Sequence, residues 1–511
     1  MCVQTAAVAG RDFTLTLLTH AGSQSEAETV MALDELWRRR LVRQMRPEHY
    51  EFSHDKLRQV AYEAISPERR RWLHGKVADA LVAHDSADLA ASAGQIAYHY
   101  AQSSQPGRAL DHLLLAADAA ARIFANREAI SFYEKALSLL PPDAARTRTI
   151  YEALGELWRR QGKWQESQQA YSTALALIGP EAALARAAVL DKLGRTLIAG
   201  HQRVEAWEAL TAARRVLEAN PDESSPDWCR VWIAVVMGQA DWHYWGGSVD
   251  EMSDLVAQAE PCVRRFGAPA QQMEWQQLAA RAALRRARYI ISDAMVEDRR
   301  RALEAMRQLG SPAELTVAEF GYAFTLLWNG QVERAGAQFR TALQTARQIG
   351  FVFVETQCLT YLAIIARLTG QIGEARTLTL LALQSAQAIQ RLDFIGIAHA
   401  NQAWLAWRTG DLAAARELGA AALDEWDTAA TGMPFSWLAL WPLIGAALEE
   451  NRVELALIYA RRLLDESQQP PPHPVRTQVS TAMAVWEAGY PTQARAHLEA
   501  AAAAAAAIGH L

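Results

Sequence analysis

Leu359-Thr360-Tyr361-Leu362-Ala363-Ile364-Ile365-Ala366-Arg367-Leu368-Thr369-Gly370-Gln371-Ile372-Gly373-Glu374-Ala375-Arg376-Thr377-Leu378-Thr379-Leu380-Leu381-Ala382 reads as two apolar helical stripes that meet at a glycine. Leu359, Leu362, Ala363 and Ala366 recur at helical spacing before the break, and Ala375, Thr379 and Ala382 do so after it. Forty residues upstream, Gly330 has Ala323 before it and Ala335, Phe339 and Ala342 after it. Forty residues downstream, Gly410 has Ala403 and Ala406, then Ala415, Gly419 and Ala422. Small residues at such offsets let two helix backbones approach, while large ones fill the gaps between neighbouring hairpins. The glycine suits the turn that ends the first helix of each pair. A fixed period of this size marks a repeat array.

Working outward, the same offsets return around Gly162, with Tyr151, Leu154, Gly155 and Trp158 before it and Ser167, Tyr171 and Ala174 after. They return again around Gly200, with Leu190, Leu193, Gly194 and Leu197, then Ala206, Leu210 and Ala213. Large-x2-large-small-x2-large, turn, small-x3-large-x2-small is the tetratricopeptide pattern, here with a period nearer forty. The expected fold is all-α: a tetratricopeptide-like superhelix of helical hairpins, preceded by a small winged-helix domain. The expected divisions are 1–84 for the winged helix, 85–220 and 221–467 for repeats, and 475–511 for a terminal hairpin or cap. Helix stops at Pro141-Pro142-Asp143, Asn220 to Pro226 and Pro470 to Pro474 punctuate the array.

The first eighty residues read differently. Ser25-Glu26-Ala27-Glu28 is a capping box opening a helix with Val30, Leu33, Leu36 and Trp37. Leu41 to Met45 and Tyr50 to Phe52 flank Arg46-Pro47-Glu48-His49 as a β-hairpin would. Helices resume at Asp55 and after Ser66-Pro67. Helix, helix, wing and helix make a winged-helix arrangement.

Composition narrows the function. The 511 residues are 51% hydrophobic and 21% charged, with a formal net charge of -6, which argues against binding nucleic acid or a membrane surface through the whole chain. Residues 1–83 carry 12 Lys+Arg and 11 Asp+Glu, too balanced for a DNA-reading face despite Arg38-Arg39-Arg40 and Arg69-Arg70-Arg71. Cys2, Cys229, Cys262 and Cys358 are scattered, which fits neither a disulfide scaffold nor a thiolate zinc site. With no uncharged run near the ~20 residues of a membrane helix and no basic leader, a cytoplasmic location is expected. None of the five lysines (Lys56, Lys76, Lys135, Lys163, Lys192) precedes Ser or Thr, so no phosphate loop is present. No catalytic or metal-ligating constellation emerges, and no enzyme activity is expected of this chain.

Phe52-Ser53-His54-Asp55-Lys56-Leu57-Arg58-Gln59-Val60-Ala61-Tyr62-Glu63 resembles the end of the winged-helix domain of STAND signal-transduction NTPases, bacterial ATP-binding transcriptional regulators among them. Ala6 to Phe13, Arg69 to His74 and Phe124 to Ile130 are similar to other parts of the same region. The resemblance implies that His54 meets the β-phosphate of ADP on a neighbouring NTPase domain while Asp55 caps the next helix. It also implies that the repeats bind an inducer or partner, protein or small molecule, and that the winged helix contacts the NTPase. No cofactor is expected in this chain, ATP or ADP entering only with an upstream NTPase domain. The start at Met1, inside the winged-helix opening, reads as a truncated or split frame. A free-standing tetratricopeptide adaptor and the sensor arm of an adenylate or guanylate cyclase remain as alternatives.

Within the array, Trp228, Trp232, Trp242 and Trp245 stand out as candidate groove aromatics, beside Tyr244. Tryptophans on inner helices can anchor a ligand, or they can simply fill wide gaps between hairpins.

Overall fold

The computed structural model describes residues 1–84, 89–140, 143–219, 221–244, 246–309, 311–429 and 433–507. Pro141, Pro142, Asn220 and Trp245 lie outside the described residues. The chain divides into two compact units, Met1–Leu157 and Trp158–Leu511.

The N-terminal unit opens with α1 (Cys2–Ala9), β1 (Asp12–Thr14), α2 (Leu15–Ala21) and α3 (Glu26–Arg38). Ser25 and Glu28 form the expected capping box, the Ser25 N–H donating to the Glu28 carboxylate at 2.8 Å. The hairpin of β2 (Val42–Arg46) and β3 (His49–Phe52) turns with Glu48 at φ +63° and carries a register shift between Gln44 and Arg46. β1 pairs antiparallel on the other side of β3, giving the order β1-β3-β2. Phe13 and Phe52 pack edge to face at 5.7 Å and hold this sheet on the helices. α4 (Asp55–Glu63) and α5 (Pro67–His84) complete a winged-helix-like segment. Repeat-like helices follow: α6 (Leu89–Ala101), α7 (Ala109–Arg122), α8 (Asn126–Leu139) and α9 (Ala144–Arg160), the last crossing the division.

The C-terminal unit is a superhelix of hairpins. Its helices are α10 (Trp164–Ala176), α11 (Ala183–Ala199), α12 (Arg203–Glu218), α13 (Pro226–Tyr244), α14 (Val249–Phe266), α15 (Pro269–Arg286) and α16 (Asp293–Leu309). Six helices of seventeen residues come next: α17 (Pro312–Trp328), α18 (Val332–Gln348), α19 (Val352–Leu368), α20 (Ile372–Ala388), α21 (Leu392–Arg408) and α22 (Leu412–Thr428). α23 (Trp437–Glu449), α24 (Val453–Leu463), α25 (His473–Glu487) and α26 (Pro491–Ala507) close the array.

The forty-residue period is therefore two twenty-residue helix-plus-turn steps. Ala323, Ala363 and Ala403 are all fully buried, as are Ala335, Ala342 and Phe339. The turns sit in the left-handed region at Gly330, Gly350, Gly370, Gln390 and Gly410. Gln390, at φ +52° and exposed, is the exception in this series, and left-handed backbone costs a side-chain-bearing residue ~1 kcal/mol. Gln390→Gly is thus expected to stabilise the C-terminal unit by about that amount, read as a higher urea midpoint with unchanged slope.

Repeats also touch across the superhelix. The Trp164 indole N–H donates to the Ile389 carbonyl at 2.6 Å, and Gly162 packs so tightly there that a Cβ would lie 2.3 Å from Ile389 Cγ2. Arg288 donates to the carbonyls of Asp465 (3.0 Å) and Gln468 (2.8 Å). A strictly nearest-neighbour array would contain neither contact.

Candidate functional site

The first helices of successive hairpins face the inside of the superhelix. On α17 the inward residues are Val317, Phe320, Gly321 and Phe324, an i, i+3, i+4, i+7 stripe. On α15 they are Gln277, Arg281 and Leu284, and on α19 Phe353, Gln357 and Tyr361. Together with α11, α13, α21 and the approach to α23 they enclose a cavity of about 320 Å³. Its volume and mixed lining match a small-ligand site, for which ~300 Å³ is the lower end.

The apolar wall is a continuous aromatic network. Phe320 meets Tyr361 at 5.7 Å, Phe324 meets Tyr361 at 5.3 Å, and Tyr289 meets Phe435 at 4.9 Å. Tyr289 is aimed inward by a strained turn, since it and Arg288 both adopt left-handed backbone, at φ +60° and +50°. Such strain persists only where surrounding contacts enforce it, and here Arg288 is tied to the Asp465 and Gln468 carbonyls. Burial pushes the Tyr289 and Tyr361 hydroxyls well above their ordinary range, so both act as neutral groups.

The polar wall is built from arginines with defined partners. Arg195 donates to Asp191 at 2.9 Å and is also bound by Glu274; burial opposes its charge, but these two carboxylates outweigh it. Arg281 pairs with Asp241 at 2.9 Å. Arg391 forms a bidentate pair with Asp393, at 2.9 and 2.5 Å, and lies over the Phe353 ring at 4.9 Å. Burial would raise the Asp393 carboxyl, but Arg391 and the His201 ring 3.6 Å away hold it well below the usual carboxylate range. Arg299 differs from these three, having no carboxylate within ion-pair distance among the described residues.

The tryptophans singled out from sequence sit elsewhere. Trp228 and Trp232 stack at 6.3 Å inside the core formed by α11 to α15. Trp242 packs on Trp207 at 4.7 Å, donates its indole N–H to the Arg203 carbonyl and lies under the Arg203 guanidinium. None of these three lines the cavity, whereas their neighbour Tyr244 does.

In the N-terminal unit, His54 occupies the N-cap position of α4 and is exposed, without a side-chain capping bond. Asp55 is the first helical residue rather than the cap, and its exposed carboxylate lies 3.7 Å from Arg11. A smaller cavity of about 260 Å³ lies behind this helix, bounded by Arg58, Tyr62, Tyr98 and His99. Beside it the Tyr62 hydroxyl meets His74 Nε2 at 3.0 Å, and His74 Nδ1 meets His99 Nδ1 at 2.9 Å. Burial lowers His74 to about 4 and His99 to about 3, so both rings are neutral. Among the described residues no cluster of three or more His, Cys, Asp or Glu could hold a metal ion, and no helix is long and apolar enough to cross a membrane.

No family model and no curated relative matches the sequence. Several solved structures are similar to it. One is a Signal Transduction ATPase with Numerous Domains protein with a tetratricopeptide repeat sensor, from Pyrococcus horikoshii; it is 12% identical, with a TM-score of 0.44 over 89% of this chain. This chain spans 65% of that protein's length. A Rap protein complexed with Competence and Sporulation Factor is 13% identical over 70% of this chain and 98% of its own, with a TM-score of 0.50. Aspartyl phosphate phosphatase F from Bacillus subtilis is 12% identical over 70% of this chain and 92% of its own, with a TM-score of 0.42. At such identities the likeness is one of fold: a tetratricopeptide-like array of helical hairpins.

Proposed function

We propose that this chain is the sensor and relay portion of a STAND-type signalling regulator. Its C-terminal superhelix receives an effector in the interior cavity, and its winged-helix-like segment contacts a nucleotide-binding domain. The role is binding and relay rather than catalysis. The single observation that carries the reading is the cavity, where aromatic side chains from several hairpins converge around arginines. One ligand there touches α13, α15, α17, α19 and α21 at once, so occupancy would favour one superhelical curvature over others. The Rap protein, which shares the fold, was solved with its factor bound, in keeping with an effector-receiving array. For the other half of the role, exposed His54 at the start of α4 is free to approach a phosphate on another domain, as its resemblance implies.

The test fills the cavity. Gly321 is helical and faces it, and a Cβ there would meet nothing closer than Arg299 Nη1 at 3.7 Å, so Gly321→Phe is expected to fold. In a thermal-shift screen of small metabolites and short peptides, ligands that raise the melting temperature of the wild type should lose that effect in Gly321→Phe. Hits unaffected by the substitution would overturn the cavity as effector site.

A further inference from the structure

The cavity wall also carries information about what it binds. Arg195, Arg281 and Arg391 are each matched by carboxylates, so their charges are already met. Arg299 is on α16, half-buried on the same wall, with the Gly321 backbone facing its Nη1. The charge that acts on it most strongly is another cation, Arg281, against its own positive charge, while Tyr244 acts in the opposite sense. Burial and Arg281 pull it down to about 10. A charge removed from water without a counter-ion is costly, and an anion from outside the chain would relieve that cost. The next two residues of the same helix show the contrast: Arg300 and Arg301 point outward and pair with Glu297 at 2.8 and 3.1 Å.

We propose that the effector is a small organic anion, its carboxylate, sulfonate or phosphate head on Arg299 and its apolar body against Phe320, Phe324 and Tyr361. This rests on the reading of the cavity as the effector site. A small molecule rather than a peptide is indicated by the volume, about 320 Å³, and by the cross-superhelix contacts. Trp164, on the cavity wall, is bonded to Ile389, and Arg288, next to the wall residue Tyr289, is bonded to Gln468, so the array is tied across itself beside the cavity rather than open as a peptide groove.

The experiment compares 8-anilinonaphthalene-1-sulfonate with N-phenyl-1-naphthylamine, near-isosteric fluorophores that differ in the anionic group, on the full chain. The wild type should bind the sulfonate about tenfold or more tightly than the amine, the effect of one charge-assisted contact. Arg299→Gln should abolish that preference while leaving amine binding intact, and Arg299→Lys should keep part of it. Circular dichroism confirms that each variant is folded, and Arg299→Lys carries the test if Arg299→Gln is not. Equal binding of both probes, each blocked by Gly321→Phe, would overturn the anion assignment and leave the cavity reading standing. No binding of either probe, or binding that persists in Gly321→Phe, would overturn both.

Discussion

Lowering the pH from 7 to 5 is expected to destabilise the N-terminal unit by about 2–4 kcal/mol through two buried histidines. In the folded chain His74 and His99 titrate near 4 and 3, against 6.5 for the free side chain. Burial is the main cause for both; Arg70 adds to it for His74, and His74 adds to it for His99. Both groups are bases whose folded pKa is depressed, so below pH 6.5 the unfolded chain takes up protons that the folded chain refuses. Stability then falls with falling pH by ~1.4 kcal/mol per unit for each histidine, down to about pH 4 and 3 respectively. The geometry explains the refusal. The two Nδ1 atoms face each other at 2.9 Å, so one must donate and the other accept, and a second proton would set two N–H groups against each other. Urea midpoints for residues 1–157, followed by hydrogen exchange, should show this slope. In His74→Leu/His99→Leu most of it should vanish, the remainder coming from His112, which burial also lowers. A wild-type midpoint constant from pH 7 to 5 would contradict the neutral pair.

The largest single-site effect in the C-terminal unit is expected from Phe339→Ala, a loss of ~3–5 kcal/mol. Phe339 is fully buried on α18, stacked on Tyr361 at 5.6 Å and 9°, with Phe320 also at 5.6 Å. It stands directly behind two rings of the cavity wall, so the variant should also weaken both naphthyl probes, unlike the equally buried Ala342→Gly. Urea unfolding gives the first effect and fluorescence titration the second. A loss under 1 kcal/mol would mean that the hairpin closes over the gap. The equivalent positions show that closure is possible when built in: Thr379 follows in α20, and at Gly419 in α22 a Cβ would collide with Leu443 at 2.8 Å.

These equivalences explain what the sequence makes legible. Helical hairpins, their period and their turns are local properties, written in small residues at crossings and in glycines at helix ends. The capping box at Ser25 and the β2-β3 hairpin are local as well. β1 spans only Asp12–Thr14, too short to show alternation, and exists because β3 offers it an edge. The cavity is a different kind of object. Its walls come from residues as far apart as Trp164 and Phe435, brought together by the superhelix, across which Trp164 is bonded to Ile389. Arg299 is one of three consecutive arginines, Arg299-Arg300-Arg301, and nothing local in the sequence marks which of them helical geometry turns inward. Trp228, Trp232 and Trp242 are conspicuous for their size, yet they fill gaps between hairpins, and among the described residues of that cluster Tyr244 alone reaches the cavity.

Hydrogen exchange on the intact chain, with and without the strongest hit from the thermal-shift screen, tests the effector site most directly. Protection is expected on the inner helices α13, α15, α17 and α19 and in the segment around Phe435, all of which line the cavity. Protection confined to the outer helices α14, α18, α20 and α22, with the inner ones unchanged, would contradict it.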